Sequence, residues 1–274
     1  MPRVAAAKST SRVLEAGPFH LNVSVRPGRG GEPPLLLLNG IGAALETFDP
    51  LISALPADRS VIRFDAPGIG GSPLPNRPYR FCTLARALSR VLDELGYDCV
   101  DVFGISWGGG LAQQFAFTER RRCRRLVLVA TGTGALMVPA HPRVLLKMAT
   151  PRRYRDPQYL AEVAPQIYGG SAREPSEELQ ALARRFHHGG QFNGYALQLL
   201  AGTGWTSVPF LPLLGQRTLV LTGDDDPIIP VANGRLLSRL IRHSELELYP
   251  GGHIELVAQP NLLAPRIEDF LTAA

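Results

Sequence analysis

The 274-residue sequence predicts an α/β fold, a mostly parallel, doubly wound sheet with a helical cap inserted late in the chain. Three observations carry this expectation. Short apolar, β-branched runs alternate with stretches of helical period. One of those runs ends in Gly104-Ile105-Ser106-Trp107-Gly108, and the alternation lapses between residues 135 and 207 before it resumes. Hydrophobic residues make up 45% of the chain and charged residues 19%, too apolar a balance for a disordered protein.

The first sixteen residues carry Arg3, Lys8 and Arg12 without an apolar segment, so they read as a flexible extension rather than a secretory signal. A core is expected over residues 17–134 and again over 208–274. Its strands are His20–Arg26, Pro34–Leu38, Ser60–Phe64, Cys99–Phe103, Leu126–Ala130, Arg217–Leu221 and Glu245–Tyr249. The first, followed by Pro27-Gly28-Arg29-Gly30-Gly31, reads as an antiparallel strand feeding a tight turn. The others are separated by helical patterns such as Leu84–Leu95, Leu111–Phe117 and Val231–Leu240, as in a parallel sheet covered on both faces. Residues 135–207 contain Pro139, Pro142, Pro151 and Pro157, with helical patterns near Pro157–Ile167 and Glu177–His187. The segment is too long for an idle loop and reads as a helical cap over the strand ends, where sites on α/β sheets form.

Composition narrows the partners. The net charge of +5 is scattered, without a basic stripe interleaved with aromatics, so no nucleic-acid partner is expected. The densest run, Arg120, Arg121, Arg122, Arg124 and Arg125, falls where a helix should end and reads as a complement to its dipole. No apolar run reaches the roughly 18 residues of a transmembrane helix. Cys82, Cys99 and Cys123 form neither a CxxC nor a metal-spaced set, which points to a reducing, cytoplasmic setting.

The chemistry starts at Ser106. Gly-x-Ser-x-Gly, with an apolar strand before it and a helical pattern after it, is the layout of a nucleophile elbow. Glycines are needed beside so tight a turn, and Gly104 and Gly108 supply them. A lone serine is a poor nucleophile and needs a base with an orienting acid. On such a sheet the order is serine, acid, histidine. Thr218–Gly223 runs into Asp224-Asp225-Asp226-Pro227-Ile228-Ile229-Pro230, and the last strand ends in Tyr249-Pro250-Gly251-Gly252-His253. Three aspartates therefore compete. Hydrolases of this type commonly show Gly-x-x-Asp-x-x-x-Pro here, which favours Asp226 and leaves Asp225 as the alternative. The other usual acid position, after the strand ending at Ala130, reads Thr131-Gly-Thr-Gly and offers no carboxylate. His20 lies in a strand, His141, His187 and His188 in the cap and His243 at a helix end, so only His253 has the setting of a base. No His, Cys and Asp cluster has metal-ligand spacing, and no metal is expected.

Acyl transfer also needs donors for an oxyanion. The expected pair is the backbone N–H of Trp107, after the nucleophile, and that of Ile41 in the loop Asn39-Gly40-Ile41-Gly42. Asp65, in Phe64-Asp65-Ala66-Pro67-Gly68, reads as a structural tie for its loop.

With these motifs in place, the chain resembles the intracellular medium-chain-length poly(3-hydroxyalkanoate) depolymerases of the α/β-hydrolase superfamily. The similarity lies in LLLLNGIGA (Leu35–Ala43), FDAPGIGGSP (Phe64–Pro73), PYRF (Pro78–Phe81), GISWGGGLAQQFA (Gly104–Ala116) and RCRRLVLVAT (Arg122–Thr131). It continues through MVPAHP (Met137–Pro142), TPRRY (Thr150–Tyr154), IYGG (Ile167–Gly170), GWTS (Gly204–Ser207) and LTGDDDPIIP (Leu221–Pro230). The elbow and Asp-x-Pro-Gly are shared across the superfamily, whereas the cap strings argue for one family. Asn39-Gly40 stands where many relatives have His-Gly, and Thr118-Glu119-Arg120 where proline would be usual. The resemblance implies hydrolysis of an apolar storage polyester to 3-hydroxyalkanoic acids or oligomers through an acyl-enzyme, without a cofactor, at a storage-granule surface. Met137, Val138, Leu145, Leu146, Met148 and Trp205 of the cap suit an apolar path to Ser106 and suit cap packing equally. Two other readings stay open: a hydrolase of small esters or carbon–carbon bonds on the same scaffold, and a granule-binding protein that has kept the fold without catalysis.

Overall fold

Four consecutive leucines, Leu35–Leu38, are all buried, because successive side chains of a strand point to opposite faces and both faces of this sheet are covered. The computed structural model describes residues 9–148, 151–154, 156–174 and 192–273. The strands are β1 (Thr10–Ala16), β2 (Phe19–Arg26), β3 (Leu35–Leu38), β4 (Val61–Phe64), β5 (Val100–Ile105), β6 (Cys123–Val129), β7 (Arg217–Gly223) and β8 (Ser244–Tyr249). They form one sheet in the order β1-β2-β4-β3-β5-β6-β7-β8. Contacts β1–β2 and β2–β4 are antiparallel, and β4–β3–β5–β6–β7–β8 run parallel.

Helices α1 (Asp49–Ala54), α2 (Phe81–Leu95) and α3 (Trp107–Thr118) follow β3, β4 and β5. Leu36, Leu38, Val102, Leu126 and Leu128 face one apolar layer with Leu84 and Leu88 of α2 and Phe115 of α3. Leu35, Leu37, Phe103, Val127 and Leu219 face the other, with Leu51 of α1 and Ile267 and Phe270 of the C-terminal helix. Each layer removes its leucines from water, and a fully buried side chain of this size contributes about 1.5–3 kcal/mol.

Two expectations need correction. Thr10–Ala16 is not part of a flexible extension over residues 1–16; it pairs along its length with β2, from Thr10↔Val25 to Ala16↔Phe19. The sequence hides this strand because only Leu14 and Ala16 are buried, so almost no apolar alternation marks an edge strand held by backbone bonds. Residues 1–8 lie outside the described residues. The arginine run does not serve the end of α3 alone. Arg120 bonds the Phe117 carbonyl there, but Arg122 pairs with Asp93 and bonds the Ser89 carbonyl of α2. Arg124 grips the buried Asp101 with two bonds of 2.7 and 2.9 Å and also pairs with Glu32. Arg124 and Arg125 both donate to Leu271, at the end of the C-terminal helix.

After β6 the chain leaves the sheet and forms α4 (Pro142–Met148), α5 (Pro157–Ile167) and α6 (Phe192–Gly202). The helical pattern expected over Glu177–His187 lies outside the described residues. The two legs of this excursion are joined. Gly134 bridges Thr206, the Ala135 amide donates to the Trp205 carbonyl at 2.7 Å, and the Ser207 amide donates to the Thr133 carbonyl at 3.1 Å. The buried Asn233 holds the outgoing leg through both the amide and the carbonyl of Val138. Asn233 lies in α7 (Val231–Leu240), which precedes β8, and the chain ends in α8 (Glu255–Ala258) and α9 (Pro260–Thr272). Among the described residues no helix is long and apolar enough to cross a membrane.

Asp65 acts as the loop tie. Its carboxylate accepts from Leu45 N (2.7 Å), Gly71 N (2.8 Å) and Asn22 Nδ2 (2.8 Å), joining the segment after β3 and the loop after β4 to strand β2. Asp65→Ala takes the acceptor from the buried Leu45 amide and from the part-buried Gly71 and Asn22 donors, and should lower the unfolding free energy by roughly 2–4 kcal/mol in urea titration. A loss below about 1 kcal/mol would contradict this assignment.

Candidate active site

Ile105 ends β5 and Trp107 opens α3, so one residue must reverse the chain. Ser106 does this at φ 54° and ψ −120°, a conformation that L residues rarely adopt and that costs of order 1–3 kcal/mol. The surroundings hold it there. Ser106 N donates to the Val129 carbonyl at 3.0 Å, and Thr131 Oγ1 donates to the Ser106 carbonyl at 2.7 Å. A Cβ on Gly108 would overlap the Leu38 and Asn39 carbonyls, which explains the glycine two residues after the serine.

The turn leaves Ser106 Oγ partly accessible and 3.0 Å from Nε2 of His253. Nδ1 of the same ring lies 2.8 Å from Oδ2 of Asp226. Asp226 is buried, and its Oδ1 accepts from the Ile228 and Ile229 amides at 2.8 and 2.9 Å. Both carboxylate oxygens are thus engaged, and the carboxylate holds one orientation toward the imidazole. The register Gly223↔Tyr249 between β7 and β8 explains the meeting of Asp226 and His253, since it ends both strands at one level. Of the residues singled out in the sequence, Ser106, Asp226 and His253 come together here. Asp224 and Asp225 do not touch His253. Asp224 accepts from Gly251 N at 2.9 Å, and Asp225 accepts from Gly170 N and pairs with Arg173. Arg173 holds the Asp225 carboxyl below the ordinary carboxylate range.

The register Leu38↔Gly104 sets the loop after β3 beside this turn. In it Gly40 N donates to Asn39 Oδ1 (2.9 Å) and Gly42 N to Gln198 Oε1 (2.7 Å). Ile41 lies between them and lines the same pocket as Ser106 and His253. The Trp107 amide heads α3, where an α-helix leaves its first N–H groups without intrahelical partners. A negative charge on an atom bonded to Ser106 would therefore face a helix N-terminus.

The pocket, about 480 Å³ with its mouth, is largely apolar, with Ala43, Met148, Ile228, Ile254 and Val257 among its walls. Among the residues that sequence reasoning did not single out are Tyr168 and Arg153 of its walls and Glu255, next in the chain to Ile254. Tyr168 lies parallel to the His253 ring, centroids 6.5 Å apart and planes at 11°, and its carbonyl accepts the His253 amide at 2.7 Å. Arg153 is buried in the wall, donating to the Met148 carbonyl (3.1 Å) and the Tyr195 hydroxyl (3.0 Å). Glu255, also buried, accepts from Ser171 N and Gly252 N. The strings IYGG and TPRRY held the first two in plain view, but no local rule marks a ring that packs on a histidine 85 positions away. Of the cap residues considered for an apolar path, Met148 lines the pocket. Val138, Leu145 and Leu146 are exposed, and Trp205 packs edge-on against Phe81.

Comparison with known proteins gives this fold a family. Residues 33–257 match the alpha/beta hydrolase fold family, and the chain belongs to that family. A poly(3-hydroxyalkanoate) depolymerase of Ectopseudomonas oleovorans is 48% identical over 260 residues, covering 95% of this chain and 92% of that protein. A 3-oxoadipate enol-lactonase 2 of Acinetobacter baylyi is 26% identical over 251 residues, covering 88% and 89%. Among solved structures, the enol-lactonase from Burkholderia xenovorans LB400 superposes with a TM-score of 0.81 at 24% identity, covering 95% of this chain and all of that one.

Two outcomes follow from the geometry. Asp226→Asn should lower turnover of p-nitrophenyl octanoate by about 10³–10⁴-fold. Asp225→Asn should stay within about tenfold, and the reverse ranking would contradict the assignment. The second outcome concerns pH. A carboxyl whose folded pKa is depressed adds stability above its unfolded value and loses it as pH falls through the folded one. The stability difference between the wild type and Asp225→Asn should therefore be full above about pH 5 and close below about pH 4 in thermal melts.

Proposed function

We propose that the chain is a serine hydrolase that cleaves the ester bonds of a medium-chain poly(3-hydroxyalkanoate) and releases 3-hydroxyalkanoic acids or short oligomers. The observation that carries the reaction type is the continuous path from Ser106 Oγ through His253, 3.0 and 2.8 Å in its two steps, to the buried Asp226. The substrate class is supported by the 48% identity with a poly(3-hydroxyalkanoate) depolymerase over nearly the whole of both chains. The largely apolar pocket is consistent with it.

In this reading Ser106 Oγ attacks the ester carbonyl while His253 Nε2 takes its proton. Asp226 holds the Nδ1–H and stabilises the imidazolium as it forms. The tetrahedral oxyanion lies between the backbone amides of Ile41 and Trp107. His253 then protonates the departing hydroxyl, and the acyl group remains on Ser106. Water, deprotonated by His253, attacks that ester and releases the acid. No step calls on a cofactor.

We assign residues 135–207 to a cap over an α/β core of residues 17–134 and 208–274, a division supported by the paired legs at Gly134 and Thr206. β1 belongs with that core, on its pairing with β2. The enzyme's place is at the surface of cytoplasmic storage granules. A second reading, hydrolysis of a small apolar ester, is favoured by the likeness to an enol-lactonase over 88% of the chain.

The test is hydrolysis of medium-chain polyhydroxyalkanoate granules by the wild type and by Ser106→Ala, with p-nitrophenyl octanoate alongside. Release of 3-hydroxy acids by the wild type alone supports both nucleophile and substrate. Cleavage of the soluble ester without the granules keeps the hydrolase and selects the second reading. Inertness toward both substrates and toward serine-directed phosphonates would overturn the hydrolase reading altogether.

A further inference from the structure

Gln198 lies on α6, where its neighbours Leu199 and Leu200 are 47% and 40% exposed, yet Gln198 itself is 1% exposed. A buried polar side chain keeps its place only through its hydrogen bonds. Its Oε1 accepts the Gly42 amide at 2.7 Å, across 156 positions of sequence. Its backbone carbonyl accepts the indole Nε1–H of Trp107 at 2.8 Å. One residue of the cap thus touches both segments to which the oxyanion donors are assigned, the loop carrying Ile41 and the first residue of α3.

The constraint on that loop matters because Gly42 has φ 74°, a conformation open to glycine and to few other residues. Gly40 is fixed on one side of Ile41 by its bond to Asn39 Oδ1, and Gly42 is fixed on the other side by Gln198. The Ile41 amide is the peptide between these two points. We propose that Gln198 is a positioning residue for oxyanion binding, seating the Ile41 loop through its side-chain oxygen. The rate of ester attack then depends on the docking of α6 as well as on the core. This inference rests on the serine-hydrolase reading above.

The test compares Gln198→Met, which fills the space without the amide oxygen, with Gln198→Glu, which keeps an oxygen acceptor at the same reach. Each is assayed on p-nitrophenyl octanoate, with thermal melting and the rate of phosphonate labelling of Ser106. A displaced oxyanion donor should lower kcat of Gln198→Met by roughly 10- to 100-fold while KM changes less than about twofold. Phosphonate labelling should slow by a similar factor, because the tetrahedral adduct uses the same amides. Gln198→Glu should restore kcat to within about threefold of wild type. Should Gln198→Met fail to fold, Gln198→Asn decides, since it retracts the oxygen by one methylene and should lose kcat likewise. Wild-type kcat in Gln198→Met or Gln198→Asn would overturn the proposal. So would a loss that Gln198→Glu does not restore and that tracks a fall in Tm and a rise in KM. A wild type that neither turns over the ester nor takes the label would instead fail the hydrolase reading, and this inference with it.

Discussion

The turn at Ser106 is the constraint around which this molecule is arranged. One residue reverses the chain between β5 and α3 at positive φ, and its neighbours hold that strained turn through both its amide and its carbonyl. The Val129 carbonyl takes its amide, the Thr131 hydroxyl bonds its carbonyl, and Gly108 admits the backbone of β3 at contact distance. Each neighbour is delivered by the parallel sheet. Strands β3, β5, β6, β7 and β8 end at one edge, so the loops that follow them converge without any adjustment elsewhere in the fold.

The segment between β6 and β7 packs on the loops that the sheet delivers. Ile228 and Ile229 after Asp226, Ile254 and Val257 after His253 and Ala43 of the early loop share one apolar cluster with Leu160, Val163 and Ile167 of α5. Polar ties run along the same seam. Asp225 and Glu255 hold the amides of Gly170 and Ser171, the Tyr168 carbonyl holds the His253 amide, and Gln198 holds Gly42. The loops bearing Asp226 and His253 are therefore held by α5 and its neighbours as well as by the sheet. Replacing Gly169, at φ 65°, would drive a side chain into the Asp225 carbonyl, which gives the string IYGG a physical reason.

Much of this was legible in the residues. Ser106, Asp226 and His253 stood in their expected order because each follows a strand whose apolar run is unmistakable, and strand ends of a parallel sheet share an edge. The spacing to Pro230 separated Asp226 from Asp225 and Asp224, and all three carboxylates are occupied, each with a different partner. What stayed hidden depends on contacts far apart in sequence. β1 buries only two of its seven side chains, so nothing in its pattern distinguishes it from a tail. Gln198 and Arg153 are polar residues on cap elements, where local rules expect exposure, and their burial follows only from what packs over them. The arginine run misled for a related reason: the carboxylate and carbonyl partners of Arg122, Arg124 and Arg125 lie 23 to 148 positions away, beyond the helix that precedes the run.

The central claim is that Ser106, with His253 behind it, forms a covalent bond to the acyl group. The most direct measurement is to mix the enzyme with excess p-nitrophenyl octanoate, quench within milliseconds in acid and map the adduct by peptide mass spectrometry. A C8 acyl group should appear on the peptide containing Ser106, formed in a burst and absent from Ser106→Ala. Turnover without any adduct, or an octanoyl group on another residue that forms and decays at the rate of turnover, would contradict it.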